Sequence, residues 1–329
     1  MTGTDAPVAG VLPEQLPGGY RCRPAVLADA DAIHRLVAAC ERALDGSAVT
    51  GADRITAELT LPGVRPERDT LLVHDGAGGA AGFGWVRGPR ARVQVHPAHQ
   101  GRGLGGALLA WTESRAREQG SDRIAQTVSD TDRAAAALLR AGGYSRLVIE
   151  WLLEIALPVE PEVPDPPAGI TVRPFRHGDE QAVYRLTEDA FDEWQPRRKS
   201  YAEWARHTVE RAAFLPAASP VALAGDQLVG AVLSLDVPGH DEGYVERVAV
   251  RRDHRDRGIA RTLLREAFRT FHHRGRSACA LWTHSGTGAL SLYERLGMTV
   301  RRSSTVYCKA LVTGGPVTDW PVTGWPVTG

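Results

Sequence analysis

Two short glycine-containing segments carry the residue types needed to bind a phosphate group. Both fit the pattern Gln/Arg-x-x-Gly-x-Gly/Ala, and they read Gln100-Gly101-Arg102-Gly103-Leu104-Gly105 and Arg255-Asp256-Arg257-Gly258-Ile259-Ala260. Glycine lets the backbone approach a ligand closely, and the free amides of a helix's first turn attract an anion. We therefore predict two sites for a pyrophosphate, here called the first cradle (residues 100–105) and the second cradle (residues 255–261, ending at Arg261).

The segments around each cradle predict the elements that position it. A short apolar strand pattern precedes each cradle, Val93-Gln94-Val95 in one case and Val248-Ala249-Val250 in the other. Apolar residues at helical spacing follow each cradle. The order strand, glycine turn and helix start is the arrangement that points backbone amides at an anion.

Further landmarks repeat in the same order, which indicates a duplicated domain. Arg23-Pro24 recurs as Arg173-Pro174, and Gly143 recurs as Gly297, each about half the chain later. We predict an α/β fold of two domains at residues 19–157 and 169–312, because the five prolines of the segment 157–167 favour an extended linker. Residues 1–18 and 313–329 are expected to be disordered tails.

Alternating strand and helix patterns are present in the second half. The predicted strands are 170–174, 220–224, 228–235, 244–250, 278–283 and 305–311, and the predicted helices are 179–191 and 288–296.

With these landmarks, each half resembles a GNAT-family N-acetyltransferase, and the tandem resembles the architecture of two-domain bacterial members such as mycothiol synthase. The resemblance implies two tandem acyl-CoA N-acyltransferase domains, each a mixed, mostly antiparallel sheet flanked by helices. It implies acetyl-CoA as co-substrate, with its pyrophosphate in the cradle and its pantetheine arm along the preceding strand. Val93 to Val95 and Val248 to Val250 would be those strands.

The resemblance also singles out Tyr293 as the acid that protonates the leaving thiolate, because it stands four residues before Gly297. The alternative is a tyrosine that only packs its helix on the sheet. Leu139 occupies the matching position of the first half, and leucine has no proton to donate. The first half is therefore expected to be non-catalytic, either binding CoA without turnover or serving as structure.

Glu246 is the predicted general base, since many members of the family carry a glutamate that acts through water at this place. Strict alternation along a strand would put Glu246 on the same face as Val248 and Val250, where partial burial would raise its pKa. The alternative is a surface glutamate paired with Arg247 or another basic residue. His284 titrates near neutrality and is a weaker candidate, because most such histidines are ordinary loop residues.

The predicted function is acetyl-CoA-dependent acetylation of a small-molecule amine, catalysed by the second half. A non-catalytic acyl-CoA sensor or scaffold is the alternative, as is use of another acyl-CoA or an O-acceptor. Acidic and aromatic residues from Phe191 to Trp194, with Tyr201 and Trp204, suit a cationic amine, whereas Arg197 to Lys199 suit an acid group or the CoA 3′-phosphate.

The composition gives no support for binding to nucleic acid, to a membrane or to a metal ion. The formal net charge is zero, which gives no bulk electrostatic reason to expect nucleic acid or membrane as a partner. The four cysteines have no metal-ligand spacing, so we predict no metal. The first residues lack the pattern of a signal peptide, and a cytoplasmic protein, monomer or homodimer, is expected.

Overall fold

The computed structural model describes residues 16–192, 197–236 and 241–312. Its helices are α1 Ala30–Asp45, α2 Ala52–Leu59, α3 Pro66–Asp69, α4 Leu104–Glu118, α5 Arg133–Ala141, α6 Glu180–Phe191, α7 Tyr201–His207, α8 Ile259–His273 and α9 Leu290–Arg295. Its strands are β1 Arg21–Arg23, β2 Thr70–His74, β3 Ala80–Arg87, β4 Arg90–Val95, β5 Arg123–Ser129, β6 Ser145–Ala156, β7 Ile170–Pro174, β8 Pro220–Ala224, β9 Gln227–Leu235, β10 Glu242–Val250, β11 Ala278–His284 and β12 Thr299–Ala310.

These elements form two compact units. Among the described residues, the first unit consists of residues 16–147 and 304–312, and the second of residues 148–303. The strand order is β1-β2-β3-β4-β5-β12 in the first unit and β7-β8-β9-β10-β11-β6 in the second. Neighbours are antiparallel except for β4 with β5 and β10 with β11, which are parallel. The predicted α/β fold with mixed, mostly antiparallel sheets is confirmed.

The last strand of each unit comes from the other half of the sequence. Strand β12 pairs with β5 from Ser304↔Ser129 to Ala310↔Arg123. Strand β6 pairs with β11 from Ala156↔Ala278 to Glu150↔His284. The predicted ranges 19–157 and 169–312 thus describe the two sequence halves, whereas each compact unit takes one strand from the opposite half.

The repeated Arg-Pro landmark is a structural clamp in both units. Arg173 donates two hydrogen bonds to Asp179, at 2.7 and 2.8 Å, and Asp179 also accepts from the backbone N–H of Arg176 at 2.8 Å. Arg23 makes the same pair of bonds to Asp29, at 2.6 and 2.7 Å. The clamp fixes the turn between the first strand and first helix of each unit, because its fork geometry matches the carboxylate.

Helix α8 shows how the sequence builds the core of the second unit. Its apolar residues at helical spacing are fully buried, and they are Leu263, Leu264, Ala267, Phe268 and Phe271. Burying such a side chain contributes about 1.5–3 kcal/mol. The Phe271 ring lies flat against Gly243, where an added Cβ would come within 2.3 Å of the ring. This close packing sets α8, and the second cradle at its start, directly against β10.

The predicted secondary structure of the second half is confirmed with small shifts at the ends. Strands 170–174 and 220–224 have the predicted bounds, and helix α6 begins one residue later, after Asp179. Strand β12 is longer than predicted because it begins at Thr299. Trp194, residues 1–15 and the tail 313–329 lie outside the described residues, so the expected disorder of the tails stays a prediction.

Candidate active site

The second cradle is the turn that leads into α8. Gly258 caps the helix with φ +85°, a left-handed conformation that glycine adopts without strain. The N–H of Thr262 bonds to the carbonyl of Gly258 at 3.1 Å, which closes the first turn. The amides of Ile259, Ala260 and Arg261 make no hydrogen bond to any described residue. They are the oriented, free donors that an anion at a helix start requires.

Two residues of the second cradle shape the turn. Arg255 donates from Nε to the carbonyl of Val250 at 3.2 Å, which ties the turn to the end of β10. Asp256 has φ +60° and is the one non-glycine residue of the described chain with positive φ. Aspartate tolerates this region better than most residues, at a modest energetic cost.

The surface in front of the second cradle is open. An added Cβ on Gly258 would find one atom within reach, Cγ of Pro167 at 4.0 Å, so the surface there is open. Arg257 and Arg261 are exposed beside the free amides. Three aligned donors and two guanidinium groups next to an open surface are a donor set suited to a di-anion.

Strands β10 and β11 separate just before the cradle and leave an open strand edge. Their parallel pairing runs from Glu242↔Ala278 to Val245↔Leu281 and ends there within the described residues. Beyond that point β11 continues beside β6, and β10 continues beside β9. Residues 246–250 therefore present unpaired backbone groups toward a slot that an extended chain such as a pantetheine arm can enter.

A β-bulge in β10 sets the direction of Glu246. The register with β9 shifts between Val245 and Arg247, so Glu246 is the extra residue of the bulge. Val245, Val248 and Val250 all pack in the cluster built on α8, although the first two are three positions apart and not the two or four that strict alternation requires. Glu246 follows Val245 and so lies on the opposite face. The expectation that it shares a face with Val248 and Val250 is wrong, because the bulge breaks the alternation.

Glu246 is held by an arginine that the sequence did not single out. Nη1 of Arg211 donates to Oε1 of Glu246 at 2.5 Å, while Oε2 is buried and has no partner among the described residues. The Glu246 side chain is 20% exposed. Burial raises the pKa of this carboxyl, against the opposing effect of Arg211 and Arg247. The pairing with a basic residue that the alternative expected is therefore present, but it is made by Arg211 to a largely buried carboxyl, while the guanidinium of Arg247 lies 5.6 Å above the ring of Phe191.

Tyr293 lies on α9 with its ring in the core of the second unit. The residue is 7% exposed and belongs to the same cluster against which Val248 and Val250 pack. Burial raises the pKa of its hydroxyl to about 12, and no described residue hydrogen-bonds to it. The ring therefore packs the helix on the sheet, and the hydroxyl keeps a proton that it can donate.

A sequence comparison decides the family. The profile of the acetyltransferase (GNAT) family matches residues 71–144 and 181–298, more than half of the chain and once in each half. This chain belongs to the GNAT family. It is an N-acetyltransferase by family, and acetyltransferases of this fold use acetyl-CoA.

Individual relatives agree with this assignment. A protein named mycothiol acetyltransferase from Thermobispora bispora is 30% identical over 240 residues, covering 70% of this chain and 79% of its own. The crystal structure of a GCN5-related N-acetyltransferase from Sphaerobacter thermophilus has a TM-score of 0.79 and 29% identity, covering 92% of this chain and 99% of its own. A tandem GNAT protein from the clavulanic acid biosynthesis pathway, at 20% identity and a TM-score of 0.66, covers 90% and 100% and shares the fold.

The first GNAT half keeps the cradle geometry. Gly101 and Gly103 have φ +73° and +85°, and Gln100 donates to the carbonyl of Val95 at 3.4 Å, as Arg255 does to Val250. The amides from Leu104 to Gly106 make no hydrogen bond to any described residue. The backbone of the first cradle thus has the same local geometry as the backbone of the second.

The catalytic positions of the first GNAT half are apolar. Leu139 stands in place of Tyr293 and is buried. The sequence offset that aligns the two cradle strands brings Ala91 to position 246, but Ala91 packs in the cluster around α4 and so lies on the other face of its strand. Strand β4 pairs with β3 in unbroken register, so the bulge is missing there as well. In addition, the thiol of Cys40 donates to the carbonyl of Val95 at 3.3 Å, at the end of the strand that would hold a pantetheine arm.

Aromatic residues of α6 and α7 form the face that the acceptor is expected to meet in the second GNAT half. Tyr184, Tyr201 and Trp204 contact one another with ring centroids 5.6 to 6.1 Å apart, and Tyr201 is partly exposed. Arg197 bonds to Glu203 through two contacts of 2.9 Å, and Arg198 pairs with Asp189. Both guanidinium groups are therefore paired with carboxylates, so they are less suited to bind a separate anion.

The remaining candidates have plain structural surroundings. His284 ends β11, and burial lowers its pKa, so it is neutral at pH 7. Next to it, Ser285 accepts from the backbone N–H of Ile149 at 3.1 Å. Among the described residues no group of three or more His, Cys, Asp or Glu could hold a metal ion. In the same residues no helix is long and apolar enough to cross a membrane.

Proposed function

We propose that the second half transfers the acetyl group of acetyl-CoA to the amine of a small molecule. The order of features along β10 carries this proposal. The parallel pairing of β10 with β11 ends at Val245, and the bulge follows at Glu246. Strand β10 then leads into the second cradle, so all three features lie within residues 245–261. A base, an open strand edge and an anion site in sequence along one strand suit a thioester whose long arm runs from the reacting carbon to a pyrophosphate.

Different residues of the second half would bind acetyl-CoA and transfer the protons. The amides of Ile259 to Arg261 would hold the pyrophosphate, and the free edge of residues 248–250 would bind the pantetheine arm. When bound, acetyl-CoA supplies the activated acetyl group. Glu246 accepts the proton that the amine loses on attack, directly or through a water, and Tyr293 donates a proton to the thiolate that leaves.

The protonation states match these roles. A tyrosine whose pKa is raised to about 12 stays protonated at neutral pH and is an acid. Burial raises the pKa of the Glu246 carboxyl and makes it a stronger base than a free glutamate, while Arg211 opposes this rise by favouring the charged form. The two groups are thus poised for opposite proton transfers.

We infer that the first half, residues 19–157, binds CoA without turning it over. Its cradle, Gln100 to Gly105, has free amides and both left-handed glycines, whereas Leu139 and Ala91 cannot donate or accept a proton. We therefore propose the role of a non-catalytic acyl-CoA sensor for this half alone. Val93 to Val95 would contact the pantetheine arm there.

The test combines binding stoichiometry with turnover. Calorimetry with acetyl-CoA is expected to give two sites per chain, and thiol release is expected with a member of an amine panel. The panel should include the acceptor of mycothiol acetyltransferases, since the Thermobispora bispora relative bears that name. Thiol release that survives Tyr293→Phe and is lost on altering the first cradle would show that the halves are assigned the wrong way round.

A further inference from the structure

Arg211 lies on a rigid segment beside the bulge of β10. The segment after it pairs with the end of β9, because the N–H of Leu215 bonds to the carbonyl of Ser234 at 2.9 Å and the N–H of Asp236 bonds to that of Ala213 at 2.8 Å. Strand β9 is in turn the neighbour of β10 on the side of the bulge. The backbone at Arg211 is therefore tied to the same sheet that carries Glu246.

The other side of the segment is anchored in the core. Trp204 is fully buried near the end of α7, and Thr208 donates from its hydroxyl to the carbonyl of Trp204 at 2.6 Å. Phe214 packs edge-on against Phe175 with ring centroids 5.2 Å apart. A residue between two such anchors loses little additional freedom when its side chain makes a bond, so its geometry is pre-organised.

The contact between the two side chains is one-sided. Arg211 reaches Oε1 of Glu246 at 2.5 Å and leaves Oε2 without a partner among the described residues. Arginine and carboxylate frequently pair through two parallel bonds. Here one oxygen is fixed, and the other remains able to accept.

We propose that Arg211 is a positioning residue for the base: it fixes Oε1, keeps the carboxylate of Glu246 charged inside the bulge, and reserves Oε2 for the proton of the acceptor. The proposal rests on the proposed function of Glu246. Without a cationic partner, a carboxyl at this depth favours its neutral form, and a protonated glutamate cannot serve as a base.

The other charged and titratable groups near Glu246 do not replace Arg211. Arg247 and His207 act on the carboxyl through space, and the phenol of Tyr244 faces it from the same strand. The Arg247 guanidinium lies over the ring of Phe191 and makes no bond to the carboxyl. Arg211 is thus the direct cationic partner of Glu246 in the described part of the chain.

The test is the pH dependence of kcat/KM in Arg211→Met and Arg211→Lys. Loss of the cation should move the acidic limb of Arg211→Met to higher pH by about 1–3 units, the usual effect of an adjacent opposite charge. Activity should therefore fall most at low pH and recover at high pH, and Arg211→Lys should restore most of the wild-type profile. Arg206→Met, which changes an exposed arginine on α7, is the matched control and should leave the profile unchanged.

A substrate-free measurement separates this proposal from the proposed function. The ¹³C resonance of the Glu246 carboxyl carbon, assigned with Glu246→Gln, should titrate at higher pH in Arg211→Met than in the wild type. If it does so while the wild type turns over no acceptor, the role of Arg211 stands and the proposed function fails. If the titration does not move, or if activity falls equally at every pH, Arg211 serves structure alone and the proposal is overturned.

Discussion

The two GNAT halves have the same glycine turn at the start of a helix and differ at the positions proposed to transfer protons. Gly103 and Gly258 cap their helices at the same φ of +85°, and each turn is tied to the preceding strand by the first side chain of the motif. The second half alone has a bulge in the strand before its cradle, with Glu246 held there by Arg211, and a tyrosine where the first half has Leu139. The comparison teaches that the glycine motif and its turn can be kept while the residues proposed for proton transfer, which lie outside the motif, are replaced.

The largest expected effect is the loss of the base. Glu246→Gln keeps the shape of the side chain and cannot accept a proton, so kcat should fall by roughly 10²–10⁴-fold. In the wild type, kcat/KM should fall as the pH drops through the pKa of Glu246, because only the charged form is active. Since burial raises this pKa, the acidic limb should lie above the ordinary glutamate value of about 4.3.

Steady-state rates of thiol release across pH measure both parts of this prediction. Glu242→Gln is the control, because Glu242 lies on the same strand as Glu246 and its carboxylate pairs with Arg301. This variant should change kcat by less than about twofold. A Glu246→Gln enzyme with wild-type kcat would remove the base from the second half and end the asymmetry.

The next largest effect is expected for Tyr293→Phe. The ring and its packing remain while the proton donor is lost, so kcat should fall by at least roughly tenfold even if water substitutes in part. Tyr307→Phe, at a buried tyrosine of the first unit, is the control and should keep wild-type kcat. Equal activity of both variants would assign Tyr293 to packing only. Leu139→Tyr in the first half should not create activity, because Ala91 still supplies no base.

The paired glycines allow a matched test of ligand binding. Gly258→Ala and Gly103→Ala impose the same backbone strain, about 1–2 kcal/mol at a left-handed position. Only Gly258→Ala should raise the KM for acetyl-CoA, by roughly tenfold, since a methyl group there would keep the pyrophosphate from the amides. Gly103→Ala should remove one of two calorimetric sites and leave kcat and KM unchanged. A rise of KM in both variants would mean that both cradles serve turnover.

The smallest effect on activity is expected for Lys309, which marks a polar difference between the two cores. Lys309 binds both carboxylate oxygens of Glu113, at 2.9 and 2.8 Å, and lies above Gly143 of the first unit. Ile155 occupies the matching place above Gly297 in the second unit. Each exchanged strand is therefore matched to the unit that it completes.

Lys309→Ile leaves the buried carboxylate of Glu113 with one cation, Arg117 at 3.5 Å. We expect a loss of about 1.5–3 kcal/mol in the free energy of unfolding, the usual value of a charged hydrogen bond, with kcat per folded molecule unchanged. Thermal unfolding of this variant and of the double variant with Glu113→Gln measures the effect. Failure of the double variant to regain stability would contradict the pairing argument.

The sequence predicted those features of the site that are encoded within a short segment, and it did not predict those that depend on residues far apart in the chain. The cradles, the tyrosine and the strand that precedes the second cradle are encoded within short segments, and the predicted bounds agree with the structure within a few residues. The bulge at Glu246 was missed because an extra residue in a strand has no composition of its own. Arg211 was missed because it is 35 positions from Glu246 and belongs to no motif.

The strand exchange is the least local feature, and no pattern in the sequence indicates it. Strands β6 and β12 have the same length, and periodicity alone does not assign either strand to one of the two sheets. Lys309 and Ile155 distinguish the two edges only once the position of Glu113 is known. The predicted ranges 19–157 and 169–312 therefore stay a prediction about repeats of sequence, whereas the assignment of each strand to a compact unit had to be seen in three dimensions.

The exchange of strands also sets the order of events during synthesis. Strand β5 leaves the ribosome with an unpaired edge, and its partner β12 is among the last described segments to be made. The first unit therefore cannot close its sheet until nearly the whole chain has emerged, and this long-range contact slows its folding. An open apolar edge over that interval is exposed to aggregation. Truncation near residue 304 would then damage the unit at the opposite end of the polypeptide.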